Sequence, residues 1–156
     1  MLASRMDILI IGGGVAGLTL ALALRQVGLR ARVYEAAPEI KRLGVGINLL
    51  PHAMRELTEL GLANHLVQAG VKTREMGFYN RFGQFIYKEP RGQFAGYEWP
   101  QVSIHRGDLH RILLDTVQER LGEDAVQLGH RASGFTQDGD GVSVHFADRP
   151  DRKSVV

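Results

Sequence analysis

The stretch DILIIGGGVAGLTLALALRQVGLRARVYE, Asp7 to Glu35, decides the fold of this chain. Ile8 to Ile11 are a short run of apolar, mostly branched side chains, the pattern of a strand covered on both faces of a parallel sheet. Glycines end that run. From Val15 to Val27 the apolar spacing changes to helical intervals at Leu18, Ala21, Leu22 and Leu24, and Gly28 follows where a helix C-terminal glycine belongs. Ala31 to Glu35 then reads as a second strand closing on an acid. Arg5 before an apolar run also suits an export signal, but Asp7, the Gly12-Gly13-Gly14 triplet and the lack of a small-residue cleavage site before Arg25 count against it. A spanning helix needs about 20 apolar residues, and this run is shorter and broken by glycine, so no membrane insertion is expected.

Within the strand-helix-strand unit, Gly12, Gly14 and Gly17 carry the spacing GxGxxG, and each glycine has its own mechanical task. Gly12 allows the tight turn out of the strand, Gly14 lets a pyrophosphate approach the backbone, and Gly17 lets the helix pack closely on the sheet. The amides around Val15 and Ala16, at the positive end of the helix dipole, then face the phosphates. Glu35 stands where a carboxylate accepts from both ribose hydroxyls and repels a 2′-phosphate. The expected ligand is therefore the ADP half of FAD or NAD rather than of NADP. The bland alternative is a plain glycine turn, which does not predict strand, glycines, helix, strand and terminal acid in that order.

The totals fit this reading. A chain of 156 residues with 44% hydrophobic residues has material for one respectable core. The net charge of +2 comes from 19 basic residues scattered among 17 acids. Without a block of like charge, a nucleic-acid face is not expected. Cysteine is absent, which rules out disulfides, thiolate metal sites and thiol nucleophiles and suits a reducing cytoplasm. Redox chemistry would have to come from a bound cofactor. No histidine pair has a credible metal partner.

After Glu35 comes AAPEIKRLGVGINLLPHAMRELTELGL, Ala36 to Leu62, with the pair Gly44 and Gly46 and an amphipathic helix starting at Pro51. Further on, SIHRGDLHRILLDTV, Ser103 to Val117, places Leu109, Leu113, Leu114 and Val117 on one helix face, with Asp108 in the first turn. On these blocks the chain resembles the class A flavoprotein monooxygenases, the para-hydroxybenzoate hydroxylase group. The resemblance implies a Rossmann-like α/β fold with a parallel sheet, crossover helices and an added antiparallel meander. It implies FAD as cofactor, NAD(P)H as co-substrate, and hydroxylation of a small aromatic or related ring with dioxygen. In that reading Val45 and Gly46 bring backbone near the flavin end, Arg106 reaches the pyrophosphate or ribitol, or else pairs with Asp108 or a neighbouring acid, Leu128 with Gly129 lies beside the adenine, and Ala36 belongs to the cofactor-binding set. Lys41 and Arg42 contact phosphate or ribose, or are simply solvated. No residue is a candidate general base or nucleophile, since the cofactor carries the chemistry. His105, His110 and Arg111 read as surface or structural residues.

Residues 73–101 hold eight of the eleven aromatics. Alternation around Arg81 to Gln84 predicts a hairpin, which the resemblance makes the start of a substrate domain, while 1–72 and 102–156 form the FAD-binding domain. A strand over Ala125 to Gly129 precedes a hairpin of Arg131 to Thr136 and Val142 to Phe146 about an Asp-Gly turn, and DRPDRKSVV reads as a polar tail. The group's downstream Asp-Gly and Gly-Asp blocks are not found, so the expectation is an incomplete FAD-binding domain. Parallel strands want covering. Such a piece is therefore expected to associate as a homo-oligomer or strand-swapped dimer, or to be weakly stable. The rivals are an amine oxidase, which the RGDLHRILL block fits less well; a disulfide reductase, which needs cysteines; and an inactive nucleotide-binding remnant.

Overall fold

The computed structural model describes residues 7–41, 44–139, 141–147 and 149–155. Arg5, Arg42 and Asp140, which entered the sequence reading, lie outside the described residues. The chain forms two compact units, one of residues 1–41 and 113–156, the other of residues 42–112.

In the first unit, β1 (Asp7–Ile11), β2 (Arg30–Tyr34) and β8 (Val126–Gln127) make a parallel sheet in the order β1-β2-β8. The register runs from Asp7 opposite Arg30 to Ile11 opposite Tyr34. Helix α1 (Val15–Gln26) is the crossover, burying Leu18, Ala21 and Leu22. It stops because Gly28 takes φ 81°, so that Gly28 N–H reaches Arg25 O and Leu29 N–H reaches Leu24 O, a Schellman ending that only a residue without Cβ adopts freely. β1 is covered on both faces along its middle: Ile10 is 6% exposed, and Leu9, on the opposite face, packs against Tyr34, Val144 and Phe146, while Ile11 at the end of the strand is 50% exposed.

The C-terminal part of this unit is an antiparallel sheet, β9 (Ala132–Asp138), β10 (Gly141–Phe146) and β11 (Arg149–Val155), in the order β11-β10-β9. The expected polar tail is therefore a third strand of the meander. Its Pro150 donates nothing to a ladder, and it is tolerated because β11 is an edge strand and Pro150 sits where the register slips between Val144 and Phe146 of β10. Val144 and Phe146 close over Tyr34, with Leu9 and Ala132 packed around them.

The second unit is built on β3 (Gly46–Leu49), β7 (Val102–His105) and β4 (Val71–Lys72), with β7 central. Helix α2 (Pro51–Glu59) starts with proline in its first turn, as the sequence predicts. A short α3 (Ala63–Ala69) follows, an element the sequence reading did not separate from the loop after α2. Between β4 and β7 lies the expected hairpin, β5 (Glu75–Tyr79) and β6 (Phe85–Pro90). Asn80 shapes its turn, the side-chain Oδ1 accepting from Phe82 N–H at 2.9 Å and Gln84 N–H at 3.0 Å. The segment expected to open a second domain, 73–101, falls wholly within this unit. Helix α4 (Arg106–Leu121) begins in the second unit and ends in the first.

Candidate functional site

The glycine loop between β1 and α1 has the form its spacing predicts. Gly12 turns with φ 109°, a conformation that strains any residue with a Cβ, and its N–H donates to Tyr34 O at 2.8 Å. Gly17 lies so close under the loop that a Cβ there would stand 2.0 Å from Gly12 O. Gly14 is the contrasting case. It caps α1 in an extended conformation with no side-chain cap, and nothing lies within 4 Å of where its Cβ would be. The first helical bond of α1 is Leu18 N–H to Gly14 O at 3.0 Å. The amides of Val15 and Ala16 therefore emerge from the helix start with no acceptor among the described residues. Open backbone donors, the positive end of a helix dipole and empty space coincide at one spot, which is an anion site by construction.

Glu35 stands at the mouth of that loop. Its Oε2 accepts from Gly13 N–H at 2.7 Å and its Oε1 from Ala37 N–H at 2.8 Å. Each oxygen keeps a further lone pair, so the carboxylate is oriented without being exhausted. Gly13 is tied to this arrangement, since a Cβ there would fall 2.9 Å from Glu35 Cβ. The end of β2 is laced to the end of β8: Glu35 N–H donates to Gln127 O at 2.9 Å, His130 N–H to Glu35 O at 2.8 Å, and Gly129 N–H to Ala37 O at 2.9 Å. Ala36 and Leu128 are thereby brought to the same end of the sheet as Gly12 and Gly14. Leu128 O accepts from His130 Nδ1 at 2.9 Å. The His130 ring, 8% exposed, packs edge-on against Tyr34 and Phe146 at centroid distances of 5.4 Å and 5.3 Å. The sequence reading passed over His130, and no local signal marks it, because its partners come from other strands.

In the second unit, Gly44 takes φ 126°, and a Cβ on it would meet Arg106 Nε at 2.7 Å and Arg106 Cβ at 3.2 Å. The Arg106 side chain thus lies across the bare Gly44 backbone. Arg106 N–H donates to Val45 O at 3.0 Å, and the Val45 side chain is 77% exposed. The structure brings Gly44, Val45, Gly46 and Arg106 together in this unit, and Gly12, Gly14, Val15, Ala16, Gly17, Glu35, Ala36 and Leu128 together in the other. Lys41 is paired with Glu39 at 2.7 Å, both side chains exposed. The second unit also contains a cavity of about 640 Å³ lined by Tyr87, Tyr97, Trp99, Arg55, Arg91 and Gln101. No cluster of side chains able to hold a metal ion occurs among the described residues, and none of their helices is long and apolar enough to cross a membrane.

A parallel sheet whose strand ends carry a glycine loop, an oriented acid and open helix amides defines a dinucleotide-binding α/β protein. The FAD binding domain family matches residues 5–155, and the chain belongs to that family. It is 44% identical over 155 residues to a phenazine 1,6-dicarboxylic acid hydroxylase of Lysobacter antibioticus, covering 99% of this chain and 38% of that protein. To a 3-amino-4-hydroxybenzoate 2-monooxygenase of Streptomyces cremeus it is 38% identical over 144 residues, covering 90% of this chain and 36% of the relative. Among solved structures, Klebsiella pneumoniae HpxO in complex with FAD and uric acid superposes with a TM-score of 0.83 at 29% identity, covering 98% of this chain and 38% of that one. The chain thus spans under two fifths of the length of these relatives.

Proposed function

We propose that the chain is the FAD-binding part of a flavin-dependent monooxygenase that hydroxylates a small aromatic or related ring, with NADH or NADPH as co-substrate and dioxygen as oxidant. The observation that carries the reading is the bare surface at Gly14, where the Val15 and Ala16 amides have no acceptor and no atom occupies the Cβ position. A diphosphate fits that surface, and a side chain would block it.

In this reading Gly12, Gly14, Val15, Ala16 and Gly17 receive the pyrophosphate, Glu35 the adenosine ribose, and Ala36 and Leu128 the adenine. Val45 and Arg106 serve the flavin half, a planar guanidinium suiting a phosphate or ribitol oxygen. When bound, FAD supplies the electron transfer and oxygen activation, and this chain's residues bind and orient it. The Glu35 carboxylate selects against a 2′-phosphate by charge. The aromatic cavity in the second unit, with its two arginines, supports a ring substrate. The hydroxylase relatives support the reaction class. A cytoplasmic location fits the absence of cysteine, and association of copies fits the exposed Tyr79, Phe82, Phe85 and Ile86 of the β5-β6 hairpin.

The test loads the chain with FAD and follows NADH and NADPH oxidation with and without a series of hydroxylated aromatic acids. Oxidation stimulated by one of them, with hydroxylated product, is the expected result. Bound flavin with no stimulation by any ring compound would leave FAD binding and overturn the hydroxylase.

A further inference from the structure

His105 precedes α4, and its imidazole is used at both nitrogens. Gly107 N–H donates to Nδ1 at 3.1 Å. A ring nitrogen that accepts carries no proton, so in the neutral ring the proton is on Nε2. Nε2 lies 3.1 Å from Gly44 O, which can only accept. One tautomer satisfies both contacts and the other satisfies neither. On the Nδ1 side His105 is the helix N-cap, doing for an orphan amide of the first turn what Ser, Thr, Asn or Asp usually does. On the Nε2 side it holds the peptide on which the Arg106 side chain rests, since only a glycine at position 44 leaves room for that guanidinium stem. The backbone adds a parallel tie, Arg106 N–H to Val45 O.

We infer that His105 is a positioning residue: its Nε2–H tautomer clamps the Gly44–Gly46 loop to the start of α4 and so sets where the Arg106 guanidinium is presented. The inference rests on the reading of Arg106 as an FAD contact, and it extends that reading to a residue which touches no cofactor. A cap alone would not need a second donor. A side chain that merely filled space would not need a fixed tautomer.

Two substitutions separate the tasks. His105→Asn keeps a capping oxygen for the first-turn amides but ends one ring atom short of Gly44 O. His105→Gln reaches Gly44 O with an amide donor but gives up the cap. FAD titration of the 156-residue chain, by quenching of flavin fluorescence, is expected to show about threefold to tenfold weaker binding in His105→Asn, on the scale of one neutral hydrogen bond, with a melting temperature lowered by about 1–6 °C because the same bond ties the free chain. His105→Gln is expected to bind FAD within about twofold of the parent chain, again on the scale of less than one such bond, and to melt lower. Two readouts need no cofactor. Long-range proton–nitrogen NMR of the imidazole is expected to show the Nε2–H tautomer, and the Arg106 amide is expected to exchange faster in His105→Asn than in the parent. An Nδ1–H tautomer, or His105→Asn binding FAD as tightly as the parent while Arg106→Gln binds it weakly, would overturn the clamp. If Arg106→Gln also left FAD binding intact, the flavin reading of this loop would fall instead, and the tautomer and amide exchange would decide the clamp alone.

Discussion

Replacing Gly17 by alanine adds one methyl group at the place where α1 passes closest to the loop it follows. That methyl would stand 2.0 Å from Gly12 O, 3.2 Å from Gly12 C and 3.2 Å from Ile10 Cγ2. Two of the three neighbours are backbone, and the backbone is held, because Gly12 N–H is bonded to Tyr34 O and Gly12 already sits at φ 109°. Relief requires α1 to move off the sheet, which opens the packing around Leu18, Ala21 and Leu22. Overpacking of this kind costs about 1–3 kcal/mol, and a clash with fixed backbone belongs at the upper end. Alanine recovers about 1 kcal/mol of helix propensity over glycine. The net loss is about 1–2 kcal/mol. For a chain of this size each kcal/mol lowers the melting temperature by about 2–4 °C, so a fall of about 2–8 °C is expected in thermal unfolding followed by circular dichroism. Melting at or above the parent's temperature would refute the close approach of α1 to the Gly12 loop.

Gly14→Ala is the companion: with φ −75° and open space around the added methyl, it should melt within about 2 °C of the parent, yet lose FAD binding in a fluorescence titration. Glu35→Gln presents an amide NH₂ to one of two backbone N–H groups it now faces, so it should cost about 1–2 kcal/mol in urea unfolding and narrow the preference for NAD⁺ over NADP⁺ as competitors of FAD. At the surface, the hydrogen bond from His145 Nδ1 holds the Asp151 carboxyl below the ordinary carboxylate range. A carboxylate whose folded pKa is lowered stabilises the fold above its unfolded value, about 3.9, and that contribution is lost as pH falls through the lower folded value. The stability difference between the parent and Asp151→Asn, followed by urea unfolding across pH, should be small and flat at neutral pH and close only in strong acid. A difference that closed between pH 5 and 7 would contradict the assignment.

The β1-α1-β2 unit was legible because its signals are local: an apolar run, a glycine spacing, a helical period, a C-terminal glycine and an acid at the right distance. The hairpin around Asn80 was legible for the same reason, and so was Pro51 at the start of α2. What could not be read was whatever depends on a distant partner. β11 holds Arg149, Pro150, Asp151, Arg152 and Lys153, a composition that reads as tail, and it is a strand only because β10 offers an edge. Ile11 reads as core in its run, yet at the end of the strand it is half exposed. The candidate site divides in the same way. The glycines and Glu35 announce themselves by residue type and position, while Arg106 is singled out only by the family resemblance. The imidazole of His105 reaches a backbone atom 61 residues away, Gly44 O, and the ring of His130 packs on Tyr34 and Phe146 from other strands.

The yield of bound flavin tests the Gly14 site most directly. The chain is mixed with excess FAD and passed through gel filtration, in parallel with Gly14→Ala, and the protein peak is read at the flavin absorbance. The expected result is flavin travelling with the parent chain in a ratio near one to one and absent from a Gly14→Ala peak that elutes at the same volume. A colourless parent peak, or equal flavin on both, would contradict the claim that a diphosphate lies on the bare backbone at Gly14.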